Sequence, residues 1–200
     1  MTKSFIFDAG NVLLRWAPLE VVQATVTDAG QHQRYLHSIF LHQRWLDLDA
    51  GRIDECAAVP EFAASLGIDT CEIDRILYAA RESLVPLAPG VALLKELGSL
   101  GCDLTCLTNM SRETYAHVRP KFAFWESFRG IVVSGHVRMA KPDPAIFRHI
   151  VEHLNLVPSE TLFIDDLPAN VEAARSIGLA AIVYDGSPEC LEKIRALAVN

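Results

Sequence analysis

Asp8 closes an apolar run, Ser4-Phe5-Ile6-Phe7, and is followed at once by Ala9-Gly10-Asn11. Thr108-Asn109 follow a second apolar run, Lys141 precedes Pro142-Asp143-Pro144, and Asp165-Asp166 close a third run. A carboxylate at such a position is a nucleophile or a metal ligand. Three carboxylates brought together repel unless a cation neutralises them. Oxygen donors without histidine or cysteine suit Mg²⁺. Lys141 adds a fixed positive charge. Thr108 and Asn109 offer a hydroxyl, an amide and, at the start of the next helix, free backbone N–H groups that suit an anion. This combination points to phosphoryl transfer. Taken singly, each residue reads as a turn, a cap or a solvated loop lysine. Their joint occurrence at successive run ends favours one site.

Those runs must be strands for the residues to converge. Residues 103–108, 130–134, 161–165 and 179–184 read as strands. They alternate with helical spacing over 91–100, 111–118, 144–154, 168–177 and 189–199. Such alternation implies βαβ crossovers and a mostly parallel sheet, and near-continuous apolar strands imply burial on both faces. Residues 17–85 instead carry helical spacing (Val21, Val22; Leu36, Ile39, Phe40; Phe62, Ala63, Leu66) without a strand. The expected fold is therefore a doubly wound α/β core, residues 1–16 and 86–200, with a helical cap inserted over 17–85. Ligands bind outside the carboxyl ends of strands in such sheets, where Asp8, Thr108, Asn109, Asp165 and Asp166 would all lie.

Composition narrows the function classes. Two hundred residues, half of them hydrophobic, suffice for one substantial core and a smaller module. A net charge of −7, without a Lys/Arg run, argues against nucleic acid. No apolar stretch reaches the roughly 20 residues needed to span a bilayer. The first residues lack a signal-peptide pattern, so a cytoplasmic protein, monomer or homodimer, is expected. Cys56, Cys71, Cys102, Cys106 and Cys190 contain no C-x-x-C pair. They read as small buried apolar residues in a reducing compartment.

Four segments resemble the motifs of the haloacid dehalogenase-like hydrolase superfamily. These are Phe7-Asp8-Ala9-Gly10-Asn11-Val12-Leu13, Leu107-Thr108-Asn109, Lys141-Pro142-Asp143-Pro144 and Phe163-Ile164-Asp165-Asp166. The resemblance covers nearly the whole chain. It implies that Asp8 attacks phosphorus and forms an aspartyl-phosphate that water then hydrolyses. It implies Mg²⁺ held by Asp8, the Gly10 carbonyl, and Asp165 and/or Asp166, with Thr108, Asn109 and Lys141 on the phosphoryl oxygens. The implied substrate is a small phosphorylated metabolite.

One position departs from the common phosphatase pattern. The usual Asp-x-Asp is here Asp8-Ala9-Gly10, so the residue that protonates the leaving oxygen and activates water is missing. Three readings follow: a substrate with a good leaving group, a substitute acid in the cap (His42, Asp47 and Asp49 are available), or lost catalysis in a binding protein. The Asp-x-Gly-Asn-Val start resembles a bacterial subgroup acting on glucose-1-phosphate-type sugar phosphates, which favours the first. The rival enzyme is a 2-haloacid dehalogenase, which also lacks the second aspartate. That branch typically has a tyrosine where Gly10 stands and a Ser-x-Asn-x-x-Asp pattern in its last motif.

Other residues invite a role. Trp16 and Trp45 would wall a pocket over the site or pack in the core. Arg15 and Arg44 would grip a substrate anion or remain solvated. His149 and His153 lie four apart, a zinc-compatible spacing, but read better as a solvated pair.

Overall fold

The computed structural model describes residues 4–199. Five strands, β1 (Ser4–Phe7), β2 (Asp103–Thr108), β3 (Gly130–Val133), β4 (Thr161–Asp165) and β5 (Ala180–Val183), form one parallel sheet in the order β3-β2-β1-β4-β5. The chain starts in the middle of the sheet and winds outward in both directions, which is the expected doubly wound α/β architecture. Period-two alternation splits the strand side chains between two cores. Phe5, Phe7, Leu104, Cys106, Leu162 and Ile164 pack on one face under α6 (Ala88–Ser99) and α11 (Pro188–Val199). Ile6, Leu107, Val132 and Phe163 pack on the other under α9 (Pro144–His153) and α10 (Pro168–Ser176).

Between β1 and α6 the chain forms five helices: α1 (Pro18–Thr25), α2 (His32–Ile39), α3 (Gln43–Asp49), α4 (Glu55–Leu66) and α5 (Thr70–Glu82). Local chemistry sets their limits. Asp54 caps α4 by accepting from the Ala57 N–H, and Asp69 caps α5 by accepting from the Cys71 N–H. Gly67 ends α4 in the left-handed conformation. The helices share a core of their own, with Val22, Ile39, Phe62, Ile73 and Ile76 at its centre.

Small differences from the sequence reading have local causes. The helix expected over 91–100 starts at Ala88, because Pro89 is at home in a first turn. The strand expected over 130–134 ends at Val133, and Ser134 opens a short helix, α8 (Ser134–Val137), that the sequence pattern did not reveal. The remaining helix, α7 (Arg112–Val118), is capped by the Ser111 hydroxyl, which accepts from the Thr114 N–H.

The helical insertion touches the sheet domain through a backbone contact. Ser134 Oγ donates to the carbonyl of Asp49, the last residue of α3, and accepts from the Met110 N–H at 2.9 Å. Gly51, at φ 65°, lies so close to α8 that a Cβ there would sit 2.2 Å from the Gly135 carbonyl oxygen. Gly51→Ala should therefore combine backbone strain with overpacking, together costing roughly 2–4 kcal/mol. A thermal melt should show Tm lowered by several degrees; an unchanged Tm would mean that this contact is not a tight one.

Candidate active site

The carboxyl ends of β1, β2 and β4 bring the sequence-predicted residues together. Asp8 is buried, and its N–H continues the strand ladder to the Ile164 carbonyl at 2.9 Å. Its Oδ1 accepts from the Ala9 N–H at 2.6 Å and pairs with Lys141 Nζ at 2.8 Å; Oδ2 carries neither contact. Lys141 Nζ also donates to Asp165 Oδ2 at 2.7 Å. Lys141 is 5% exposed and Asp165 is 0% exposed, so these charges depend on one another rather than on water. Burial pulls the Lys141 ammonium down, but Asp8 and Asp165 outweigh it and hold it above its usual value. Burial raises the Asp8 carboxyl, with Lys141 opposing and Asp165 adding to the rise.

Asparagines that the sequence reading passed over hold this cluster in shape. Asn170, on the first turn of α10, donates to both oxygens of Asp165 at 3.0 Å, and the Leu167 N–H reaches Asp165 Oδ1 at 2.8 Å. Asn11, at φ 50° in the turn after Asp8, donates to Asp166 Oδ2 at 3.1 Å and accepts from the Trp16 N–H at 3.0 Å. Asp166 is half-buried, and burial raises its carboxyl while the Asn11 bond opposes. The signal was present in the sequence: both asparagines lie within a few residues of a motif aspartate, at turn or first-turn spacing.

The second motif is arranged differently from expectation. The Asn109 side chain clips the Lys141 backbone from both sides, donating to its carbonyl at 2.8 Å and accepting from its N–H at 2.9 Å. The backbone N–H groups before α7 are not all free either. Ser134 takes that of Met110, and the Asp49 carboxyl lies beside that of Ser111. Thr108 is buried, 1% exposed, at the end of β2.

Oxygens of Asp8, Asp165 and Asp166 lie within 4.8 Å of one another, the group among the described residues that could hold a metal ion. All three donors are hard carboxylates, a set that fits Mg²⁺ better than zinc. His149 and His153 stack ring on ring at 5.5 Å along α9 and belong to no such group.

A cavity of about 90 Å³ opens beside the cluster, between the sheet domain and the insertion. Gly10, Thr108 and Asn109 line its polar end. Leu14, Trp16, Trp45, Leu77, Ala80, Leu84 and Met110 make the rest mainly apolar. Trp16 and Trp45 stack at 5.6 Å and do wall the pocket. Arg15 and Arg44 do not reach it: each is paired at the surface, Arg15 with Glu20 and Arg44 with Glu61 and Asp47. The arginine that lines the cavity is Arg81, and it is paired with Glu55. The five cysteines are unpaired as expected, but Cys56 and Cys71 are exposed rather than buried.

Removing Asn170 should leave two buried carboxylate oxygens short of a donor. Asn170→Ala should cost roughly 1.5–3 kcal/mol in urea unfolding. A loss below 0.5 kcal/mol, on the order of an exposed substitution, would show that Asp165 does not need it.

Comparison with known proteins agrees with this geometry. The chain matches the haloacid dehalogenase-like hydrolase family over residues 2–178. It is 28% identical to the sesquiterpene phosphatase astK of Aspergillus oryzae, covering 95% of this chain and 94% of that protein. It is 27% identical to the drimenol cyclase drtB of Aspergillus calidoustus, but spans only 35% of that longer protein. Its fold is similar to that of bt-2542, a HAD family enzyme from Bacteroides thetaiotaomicron, with TM-score 0.78, 21% identity and 96% and 98% of the two chains covered. That enzyme has also been seen in complex with magnesium and inorganic phosphate. L-2-haloacid dehalogenase from Xanthobacter autotrophicus shares the fold at TM-score 0.69, 22% identity, with 98% and 83% covered. The family match spans β1 to β4 and all the residues of the charge cluster, and the chain is a member of the haloacid dehalogenase-like hydrolases.

Proposed function

We propose that this hydrolase is a Mg²⁺-dependent phosphatase acting on an apolar phosphate monoester through an aspartyl-phosphate on Asp8. The observation that carries the reading is a buried carboxylate–ammonium cluster whose chain neighbours Gly10, Thr108 and Asn109 line a mainly apolar cavity. In this reading, residues 17–85 are a cap that closes over residues 1–16 and 86–200. Asp8, the Gly10 carbonyl, Asp165 and Asp166 would hold the metal. When bound, Mg²⁺ supplies positive charge that draws a phosphate dianion towards a carboxylate.

The protein's own residues do the rest. Lys141 and Ala9 fix Asp8 Oδ1, which leaves Oδ2 to attack phosphorus. Lys141, the Thr108 hydroxyl and the Asn109 N–H take up charge on the phosphoryl oxygens. The Asn109 side chain serves as the clip that holds the Lys141 backbone. Water then attacks phosphorus, the bond to Asp8 breaks, and phosphate leaves.

The cavity favours an apolar alcohol over the sugar phosphate expected from sequence. Each sugar hydroxyl left without a partner against Trp16, Trp45, Leu77 or Leu84 would cost about 1–3 kcal/mol. An apolar chain gains about 25 cal/mol for each Å² it buries there. The near full-length likeness to a sesquiterpene phosphatase supports an isoprenoid phosphate as the substrate class. The dehalogenase alternative is served less well, since a carboxylate substrate would meet Asp166 as a third acid. Five unpaired cysteines support a reducing cytoplasm as the compartment.

Phosphate release from isoprenoid, alkyl and sugar monoesters, with Mg²⁺ and with EDTA, tests the reading. Release should need Mg²⁺, and kcat/KM should favour the apolar esters by at least about tenfold. Equal rates with EDTA would rule out the metal, and a preference for sugar phosphates would rule out the substrate class. Asp8→Asn should abolish turnover yet keep the fold, because burying this carboxyl opposes stability. Lys141→Ala should lower kcat by roughly 10²–10³; unchanged kinetics would remove its role.

A further inference from the structure

An apolar alcohol is a poor leaving group, and its oxygen must receive a proton as the P–O bond breaks. Gly10, where the acid would ordinarily stand, carries no side chain to give one. Three cap residues were available as substitutes, and the structure separates them. His42 caps α3, its Nδ1 accepting from the Arg44 N–H. Asp47 is committed to Arg52 and Gln43, with Arg44 nearby; the Arg52 bond, first among these, holds its carboxyl below the usual range. Asp49 lines the cavity together with Gly10 and Thr108.

We propose that Asp49, delivered by α3 into the cavity that Gly10 lines, is the general acid and base of this phosphatase. The inference rests on the phosphatase reading above and supplies the group that reading lacks. Asp49 is fixed at both ends. Its carbonyl accepts from Ser134 Oγ, and its carboxyl lies beside the Ser111 N–H and the Trp45 indole, which oppose the rise in its pKa. Gly51 against Gly135 holds α3 against the sheet domain just beyond it. The carboxyl sits among protein atoms with part of its surface on the cavity, and burial pushes it up to about 7 despite those two donors. It therefore carries a proton near neutrality, as an acid must.

The charged groups around it are otherwise engaged. Glu55 on α4 and Arg81 on α5 line the same cavity and pair with each other. Arg112 on α7 donates to the Gly135 carbonyl. Asp8 and Lys141 pair within the cluster.

In the first half-reaction the Asp8 Oδ2–P bond forms, the P–O bond to the alcohol breaks, and the Asp49 proton passes to the departing oxygen. In the second, the Asp49 carboxylate takes a proton from water as the water oxygen attacks phosphorus. The Asp8–P bond then breaks, and both side chains return to their starting states.

The test is phosphate release with Mg²⁺ from geranyl, dodecyl and 4-nitrophenyl phosphate by wild type, Asp49→Asn and Asp49→Glu, with thermal melts to confirm folding. Asp49→Asn should lose roughly 10²–10³ in kcat on the alkyl esters, and less than about tenfold on the aryl ester, whose leaving group needs no proton. On alkyl esters the wild-type rate should fall as pH rises through about 7, and that limb should be absent in Asp49→Asn. Asp49→Glu should recover part of the alkyl activity. Equal losses on all three esters, or none, would overturn the assignment while leaving the phosphatase intact. A wild type inactive on every ester would overturn both. Should Asp49→Asn fail to fold, Asp49→Glu decides alone: a shifted alkyl pH limb supports the assignment, and an unmoved one refutes it.

Discussion

One buried ammonium shared between two buried carboxylates is the constraint around which the carboxyl edge of the sheet is arranged. Taking an unpaired carboxylate out of water costs several kcal/mol even after relaxation. Lys141 offsets that cost for Asp8 and Asp165 only if its own position is fixed within a few tenths of an ångström. Hence the Asn109 amide grips the Lys141 backbone from β2, and Asn170 and the Leu167 N–H occupy Asp165 from α10. Three separate crossovers are thereby tied to one charge. β1, with Asp8 at its end, lies at the centre of the sheet between β2 and β4.

The insertion adds a second environment without disturbing the first. It has a hydrophobic core of its own, and toward the cavity it turns Trp45, Leu77, Ala80 and Leu84 alongside Asp49 and the Glu55–Arg81 pair. Closing such a face over a charge cluster lowers the local dielectric, which strengthens each electrostatic contact with a bound anion. In the proposed reading the division is physical: the sheet edge would handle charge, and the insertion the rest of the substrate.

Most of the fold was legible because strand and helix patterns are local. The strands at 103–108 and 161–165 could be bounded to the residue, since apolar runs there end abruptly in polar ones. The charge cluster was legible for the same reason, each member standing at a run end. What escaped was long-range. Nothing near Ser134 announces that its hydroxyl bridges Met110 and Asp49, 24 and 85 positions away. Arg15 and Arg44 looked like anion grips because their carboxylate partners are set by surface geometry. Cys56 and Cys71 are exposed because helix phase, rather than residue type, decided which face of α4 and α5 they occupy.

The anchorage of α3 to Ser134 and Gly135 gives the insertion two unequal parts. Leu77 and Ala80 reach the cavity from α5, which the Ser134 and Gly51 contacts leave untouched, whereas Trp45 and Asp49 come from α3, the helix that is pinned. Substitutions at Leu77 and Ala80 can therefore reshape their side of the cavity without moving Asp49 relative to Thr108. Under the proposed function, such an arrangement would let a lineage change what it hydrolyses by ordinary point mutation, one pocket residue at a time, without passing through an inactive ancestor.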